Sequence, residues 1–296
     1  MPSATSATSA IPATSATPAS PAPSARRRAA PTPRAATALA AAARFWFLAT
    51  VTGQLFFAAY IVALYGGAAA RGDLPGWNAV MSHGHVAGDG AGNVATGIHL
   101  LLAASLMLGG ALQLLPQVRL HLPRLHRWNG RVYLGGAVLA ALSGLIMLWW
   151  RGAVGDVTQH VGTSLNAVLV LVFAGMALRK VLQGDIAAHR RWALRLFLAV
   201  SGVWFFRVGL MFWLAVNGGP AGFDPDTFTG PALSLLAFAQ YLLPLAVLEG
   251  YLRCRDGAAG AAARWTMAAV LSLMTVAMSV GIAVAIVGMC LPRMHG

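Results

Sequence analysis

Seven apolar segments recur along the chain, at roughly 44–66, 94–115, 130–150, 160–181, 192–216, 231–252 and 265–290. Each is close to the ~20 residues an α-helix needs to cross the hydrocarbon core of a bilayer. Backbone polar groups inside hydrocarbon must be satisfied within the segment, so such runs fold as helices. Seven of them take up about half of a 296-residue chain, which leaves no room for a second folded domain. Only 10% of the residues are charged, against about 25% in a soluble domain. The expectation is an all-α integral membrane protein of about seven transmembrane helices over residues 44–290, with spans two to five as a four-helix bundle core.

Residues 1–36 are a Ser/Thr/Ala/Pro tract ending in Arg26, Arg27, Arg28 and Arg34. A segment with so few large apolar residues cannot bury a core, and it is expected to be a disordered tail. It is too long, and too far from the first apolar run, to be the charged end of a secretory signal.

The formal net charge of +13 would suggest nucleic acid in a soluble protein. Its distribution gives another explanation, because short cytoplasmic loops of membrane proteins are enriched in Lys and Arg. A cytoplasmic tail places on that side the arginines up to Arg44, then Arg119, Arg124, Arg127 and Arg131, then Arg179, Lys180, Arg190, Arg191 and Arg195, then Arg253, Arg255 and Arg264. These are 17 of the 21 basic residues, while Asp73, Asp89, Asp156, Asp224 and Asp226 fall on the other side. The charge therefore reports orientation: a multi-pass plasma-membrane protein, N-terminus inside and C-terminus outside, whose basic face meets anionic lipid, with no role for nucleic acid.

Smaller features fit this layout. Trp149, Trp150, Trp192, Trp213 and Trp265 fall at span ends, where interfacial aromatics concentrate. Pro244 is expected to kink span six, and the Gly109-Gly110 and Gly135-Gly136 pairs to let helices approach closely. Cys254 and Cys290 belong to opposite faces and cannot form an intrachain disulfide. No C-x-x-C-H occurs, which excludes covalently attached c-type haem.

Four of the eight histidines fall on four consecutive spans: His99, His126, His160 and His189. Because consecutive helices run in opposite directions, His99 and His160 lie toward the outer face and His126 and His189 toward the inner one. Two histidine pairs, one near each end of a four-helix bundle, are what two bis-imidazole haems require. Small residues sit near each: Gly97, Gly130, Gly162 with Thr163, and Ala193. The other reading is interfacial: His126 and His189 lie in the basic strings HRWNGR and HRRWALR, where His and Arg face headgroup phosphates. His83 and His85 lack two further metal ligands nearby and read as solvated loop, and His121 and His295 as surface residues. Arg207, ~15 residues or about 22 Å from the inner start of its span, is either an arginine snorkelling to Asp156, Asp224 or lipid phosphate, or the partner of a haem propionate or other anionic ligand at the His99/His160 site.

Three strings carry a resemblance: His99 with Gln113 in HLLLAASLMLGGALQLLP, RLHLPRLHRWNGRVYLGG from Arg119 to Gly136, and GDIAAHRRWALR from Gly184 to Arg195 with Arg207 downstream. Over residues 95–215 the chain resembles the uncharacterised bacterial membrane-protein family domain of unknown function 2306, which implies membrane location and no activity. In layout alone the region is similar to diheme transmembrane cytochrome b proteins. That likeness implies haem b, with His99 paired with His160 and His126 with His189, and a redox partner.

Three functions follow as expectations: a haem-mediated electron carrier, a non-catalytic assembly or interaction factor with a basic lipid-facing surface, and a small-solute transporter. For the last, the intramembrane polar candidates are Gln54, Asn166, Arg207, Gln240 and Glu249. No Ser/His/acid or paired-carboxylate arrangement and no nucleotide-binding fingerprint is present, so hydrolase and nucleotide chemistry are not expected.

Overall fold

The computed structural model describes residues 33–257 and 259–294. The Arg26–Arg28 cluster, His295 and all of the expected tail except residues 33–36 lie outside them. Among the described residues the chain is helical and contains no strand, only an isolated bridge between Asp224 and Thr229. The helices are α1 (Pro33–Ile61), α2 (Gly67–Ala70), α3 (Gly90–Leu114), α4 (Pro116–His121), α5 (Pro123–Trp150), α6 (Val157–Leu182), α7 (Ile186–Val200), α8 (Gly202–Asn217), α9 (Pro231–Asp256), α10 (Ala261–Ala285) and α11 (Leu291–Met294). π-Helical turns at Val62–Gly66 and Ile286–Cys290 continue α1 into α2 and α10 into α11.

Six helices are long and apolar enough to cross a bilayer, and the bent pair α7–α8 makes a seventh span if the two count as one. The chain is thus an all-α multi-pass membrane protein. Span five differs from its expected continuous form, since α7 and α8 meet at Ser201 with a 52° bend. The helix α9 continues through Pro244.

Local sequence sets where helices start. Asp89, Asp156 and Asp185 are N-caps of α3, α6 and α7, their carboxylates accepting from the amides of Gly92, Gln159 and Ala188 at 2.8, 2.9 and 3.0 Å. Such oxygens satisfy amides that have no partner in the first turn. Proline occupies the first turn of α4, α5 and α9, where its missing N–H is no loss. Gly218 ends α8 at φ 67°, a left-handed backbone that glycine adopts without a Cβ clash.

Helix α3 packs on α5, α5 on α6 and α6 on α7, which forms the four-helix core. Leu106, Tyr133, Ala137, Ala141, Val170, Phe173, Ala174, Leu196 and Ala199 fill it. Helices α1 and α10 pack on each other, α1 also on α3 and α10 on α8, and α9 lies against α6 and α8. Gly109-Gly110 does bring helices together: an added Cβ at Gly110 would sit 3.1 Å from both Phe197 and Tyr133. At Gly135 the space is open. Large apolar side chains such as Leu48, Leu101, Val132 and Leu273 are exposed, as on a lipid-facing surface.

Candidate functional site

A cavity of about 310 Å³ lies between α1, α3, α5, α6, α7 and α8. Its wall is largely apolar, with Phe57, Leu106, Met107, Ala141, Leu148, Val170 and Trp204, and it reaches Val80, Met81 and Ala153 toward the loops of the arginine-poor face. Polar side chains set into this wall include Gln54, His99, Tyr133, Asn166, Ser201 and Arg207.

The polar floor is where span five breaks. Ser201 Oγ donates to the Phe197 carbonyl at 2.8 Å and accepts from Gln54 Nε2 at 2.8 Å. Asn166 Nδ2 donates to the Ala199 carbonyl at 3.1 Å. Two amides on α1 and α6 thus hold the interrupted turn, as interrupted backbone at membrane depth requires. Gly202 makes room, because a Cβ there would lie 2.5 Å from Asn166 Nδ2. Each amide spends its donor on the break, leaving Gln54 Oε1 and Asn166 Oδ1 buried without a partner.

His99 lines the cavity. Its Nδ1 is 2.9 Å from Ser143 Oγ, and that hydroxyl gives its one proton to the Ala140 carbonyl. With the hydroxyl proton on the Ala140 carbonyl, Nδ1 donates to Ser143 and the lone pair is on Nε2. Arg207 lines the same cavity, its guanidinium carbon 5.3 Å from the centre of the Phe57 ring. No carboxylate pairs with Arg207 among the described residues, and its Nε is buried without an acceptor. The two carboxylates expected to reach it are engaged elsewhere. Asp156 accepts from Gln159 and Ser234, and Asp224 accepts from the amides of Asp226 and Thr227, which hold its carboxyl below the ordinary value.

His160 does not line this cavity. Its Nε2 donates to the Ala153 carbonyl at 3.2 Å, and its ring stands edge-on to Trp149 at 5.6 Å. It does share a helical stripe with Thr163, Ala167 and Val170, three cavity residues at spacings that repeat one face. Gly162 faces away, its open side filled by the Ala237 carbonyl of α9.

Toward the arginine-rich face, His126 on α5 and His189 on α7 lie close enough for a charge on one to act on the other, with Arg119 and Arg127 beside them. His189 Nδ1 donates to the Ala177 carbonyl at 2.9 Å, so its lone pair is on Nε2. His126 Nε2 lies 3.4 Å from Gln113 Nε2, while its Nδ1 is buried without a partner. Gln113 is oriented by Asn129, whose amide donates to Gln113 Oε1 at 2.9 Å and to the Gly109 carbonyl at 2.8 Å. Gln113 is among the residues that carried the family resemblance, but its part in orienting His126 is a tertiary fact.

Other candidates have plain structural uses. His83 Nδ1 donates to the Gly152 carbonyl at 2.9 Å and ties two loops together. No group of three or more His, Cys, Asp or Glu able to hold a metal ion occurs among the described residues. Neither Cys254 nor Cys290 is in a disulfide.

The donor set can be tested against haem. His189 and His99 each bond Nδ1–H to an oxygen and keep an Nε2 lone pair, the orientation that second-shell hydrogen bonds impose on metal-ligating histidine. Arg207 is a cation without a partner, as a propionate would need. His160 would have to give up its bond to Ala153, and His126 its contact with Gln113. Three features fit haem as they stand, and two ligands require a side-chain change.

These features define a helical membrane protein whose core bundle encloses a polar-floored cavity and, further along, a histidine pair. The chain belongs to the family described as Predicted membrane protein (DUF2306), whose model matches residues 96–243. The match starts in α3 and ends in α9, so it takes in the bundle, His99, His126, His160, His189 and Arg207. No curated protein and no solved structure matches the chain.

Proposed function

We propose that this protein is a b-type haem electron carrier of the plasma membrane, with its basic face in the cytoplasm. The observation that carries the reading is the convergence of His126 and His189, from helices α5 and α7 of one bundle, at the end opposite His99. In this reading His126 and His189 hold one haem and His99 and His160 the other, with Arg207 beside the second. Bound haem iron supplies one-electron exchange. The chain's own contribution is to fix imidazole tautomers through Ala177 and Ser143, to exclude water with the apolar wall, and to offset propionate charge.

The test is the absorption spectrum of the detergent-purified protein, expressed with haem supply, oxidised and dithionite-reduced. A Soret band that His126→Ala and His189→Ala each reduce by about half, with His85→Ala unchanged, is the expected result. Haem-free protein from haem-replete cells would overturn it.

One observation favours a second reading, a small-solute transporter: broken helices with polar floors are how transporters build midplane sites, and α7–α8 is such a break. Solute flux in proteoliposomes, absent from protein-free vesicles, would select this reading.

A further inference from the structure

The cavity holds three mismatched polar groups, Arg207, Gln54 and Asn166, that a haem at His126 and His189 would not use. Arg207 presents a buried Nε without an acceptor and has no ion-pair partner among the described residues. An uncompensated cation at membrane depth is costly, so a structure that keeps one there has an anion to gain. Gln54 and Asn166, 2% and 6% exposed, present the opposite need. Asn166 is oriented by its bond to the Ala199 carbonyl and Gln54 turns its nitrogen to Ser201 Oγ, and the oxygen of each amide is a buried acceptor without a donor.

The two amides meet the chain at Ser201 and Ala199, and Arg207 follows six residues beyond Ser201 on the same helix, about 9 Å of backbone rise. Between them the wall is apolar and partly aromatic, with Phe57, Met107 and Trp204. The cavity also extends beyond the four-helix bundle to α1 and to Met289 after α10, which a bundle cofactor would not require.

We propose that this cavity binds an organic anion, a hydroxyaryl carboxylic acid, with its carboxylate on Arg207 and its hydroxyl donating to Gln54 Oε1 and Asn166 Oδ1. The flat apolar body lies against Phe57 and Trp204, and access is from the side of Val80, Met81 and Ala153. The site does not involve His126 or His189, so it stands apart from haem at that end. A haem at His99 would compete with it.

The test uses the full chain in nanodiscs and varies the ligand before the protein. Binding of 4-hydroxycinnamate is measured by calorimetry against cinnamate, which lacks the hydroxyl, and the methyl ester of 4-hydroxycinnamate, which lacks the charge. Each analogue is expected to bind at least tenfold more weakly, and Arg207→Gln to weaken 4-hydroxycinnamate at least tenfold while Arg207→Lys retains most of the affinity. Equal binding of the three compounds would mean simple partition into apolar space and overturn the site, as would no binding by any of them to haem-free protein. The Soret band is recorded on each sample. Absent anion binding in haem-free protein rejects this site alone, and an absent Soret band in haem-replete protein that binds the anion rejects haem alone.

Discussion

Asn166 and Tyr133 line one cavity and are predicted to behave oppositely when their polar atoms are removed. Asn166 donates to a carbonyl freed by the helix break; Asn166→Leu leaves that carbonyl unpaired inside the membrane. Hydrogen bonds between membrane helices average about 0.6 kcal/mol, and a stranded buried group costs about 1–3 kcal/mol. A loss of about 1–2 kcal/mol is expected, seen as a lower midpoint in thermal unfolding in detergent. The Tyr133 hydroxyl is buried without a partner, so Tyr133→Phe should leave that midpoint unchanged or raise it. Equal destabilisation by both would show that the two groups are equivalent. The sequence displayed Gln54, Asn166 and Arg207 as polar residues within apolar runs, because such residues are few and stand out. It could not show that they face one cavity, which depends on how α1, α6 and α8 are rotated against each other. Tyr133 and Ser201 carried no signal of that kind, since tyrosine and serine are ordinary residues of membrane helices.

Helix α8 approaches α10 through a glycine. At Gly281 an added Cβ would overlap the Val208 carbonyl, a backbone atom with no rotamer by which to move aside. Gly281→Ala is therefore predicted to force α8 and α10 apart and lower the unfolding midpoint, and with it retention of any cavity ligand. Gly175 on α6 has nothing within 4 Å of its added Cβ, so Gly175→Ala should be neutral or stabilising, by up to about 1 kcal/mol from helix propensity. Equal midpoints for the two variants would refute the packing argument. The seven apolar runs were readable with their approximate limits, because a helix in hydrocarbon needs a fixed length. The break at Ser201 was not read from its signal, the Ser-Gly step, although such pairs are among the known causes of sharp helix kinks. The same dipeptide is tolerated in straight membrane helices, and here Gln54 and Asn166 from other helices decide the outcome.

Most arginines among the described residues lie at one end of the helices, and this asymmetry predicts the orientation. A reporter that is active only outside the cytoplasm should be active when fused after the C-terminal helix and silent when fused in the 182–186 connection. The opposite pattern would invert the orientation proposed here. The order of residues alone was enough to establish a multi-pass helical membrane protein and the segregation of charge, while the count of seven spans holds only if the bent pair α7–α8 is one span. Those properties depend on local length, polarity and short-range loop composition, which are written consecutively along the chain. The four alternating histidines were readable too, as a level for each within the bundle. Their directions were decided by tertiary packing: His99 turns into a cavity, His160 bonds a loop carbonyl beside it, and His126 faces Gln113 while His189 bonds the Ala177 carbonyl. A side chain's direction follows from helix rotation and from hydrogen-bond partners distant in sequence, Ser143, Ala177 and Gln113 among them, and those become neighbours only when the bundle closes.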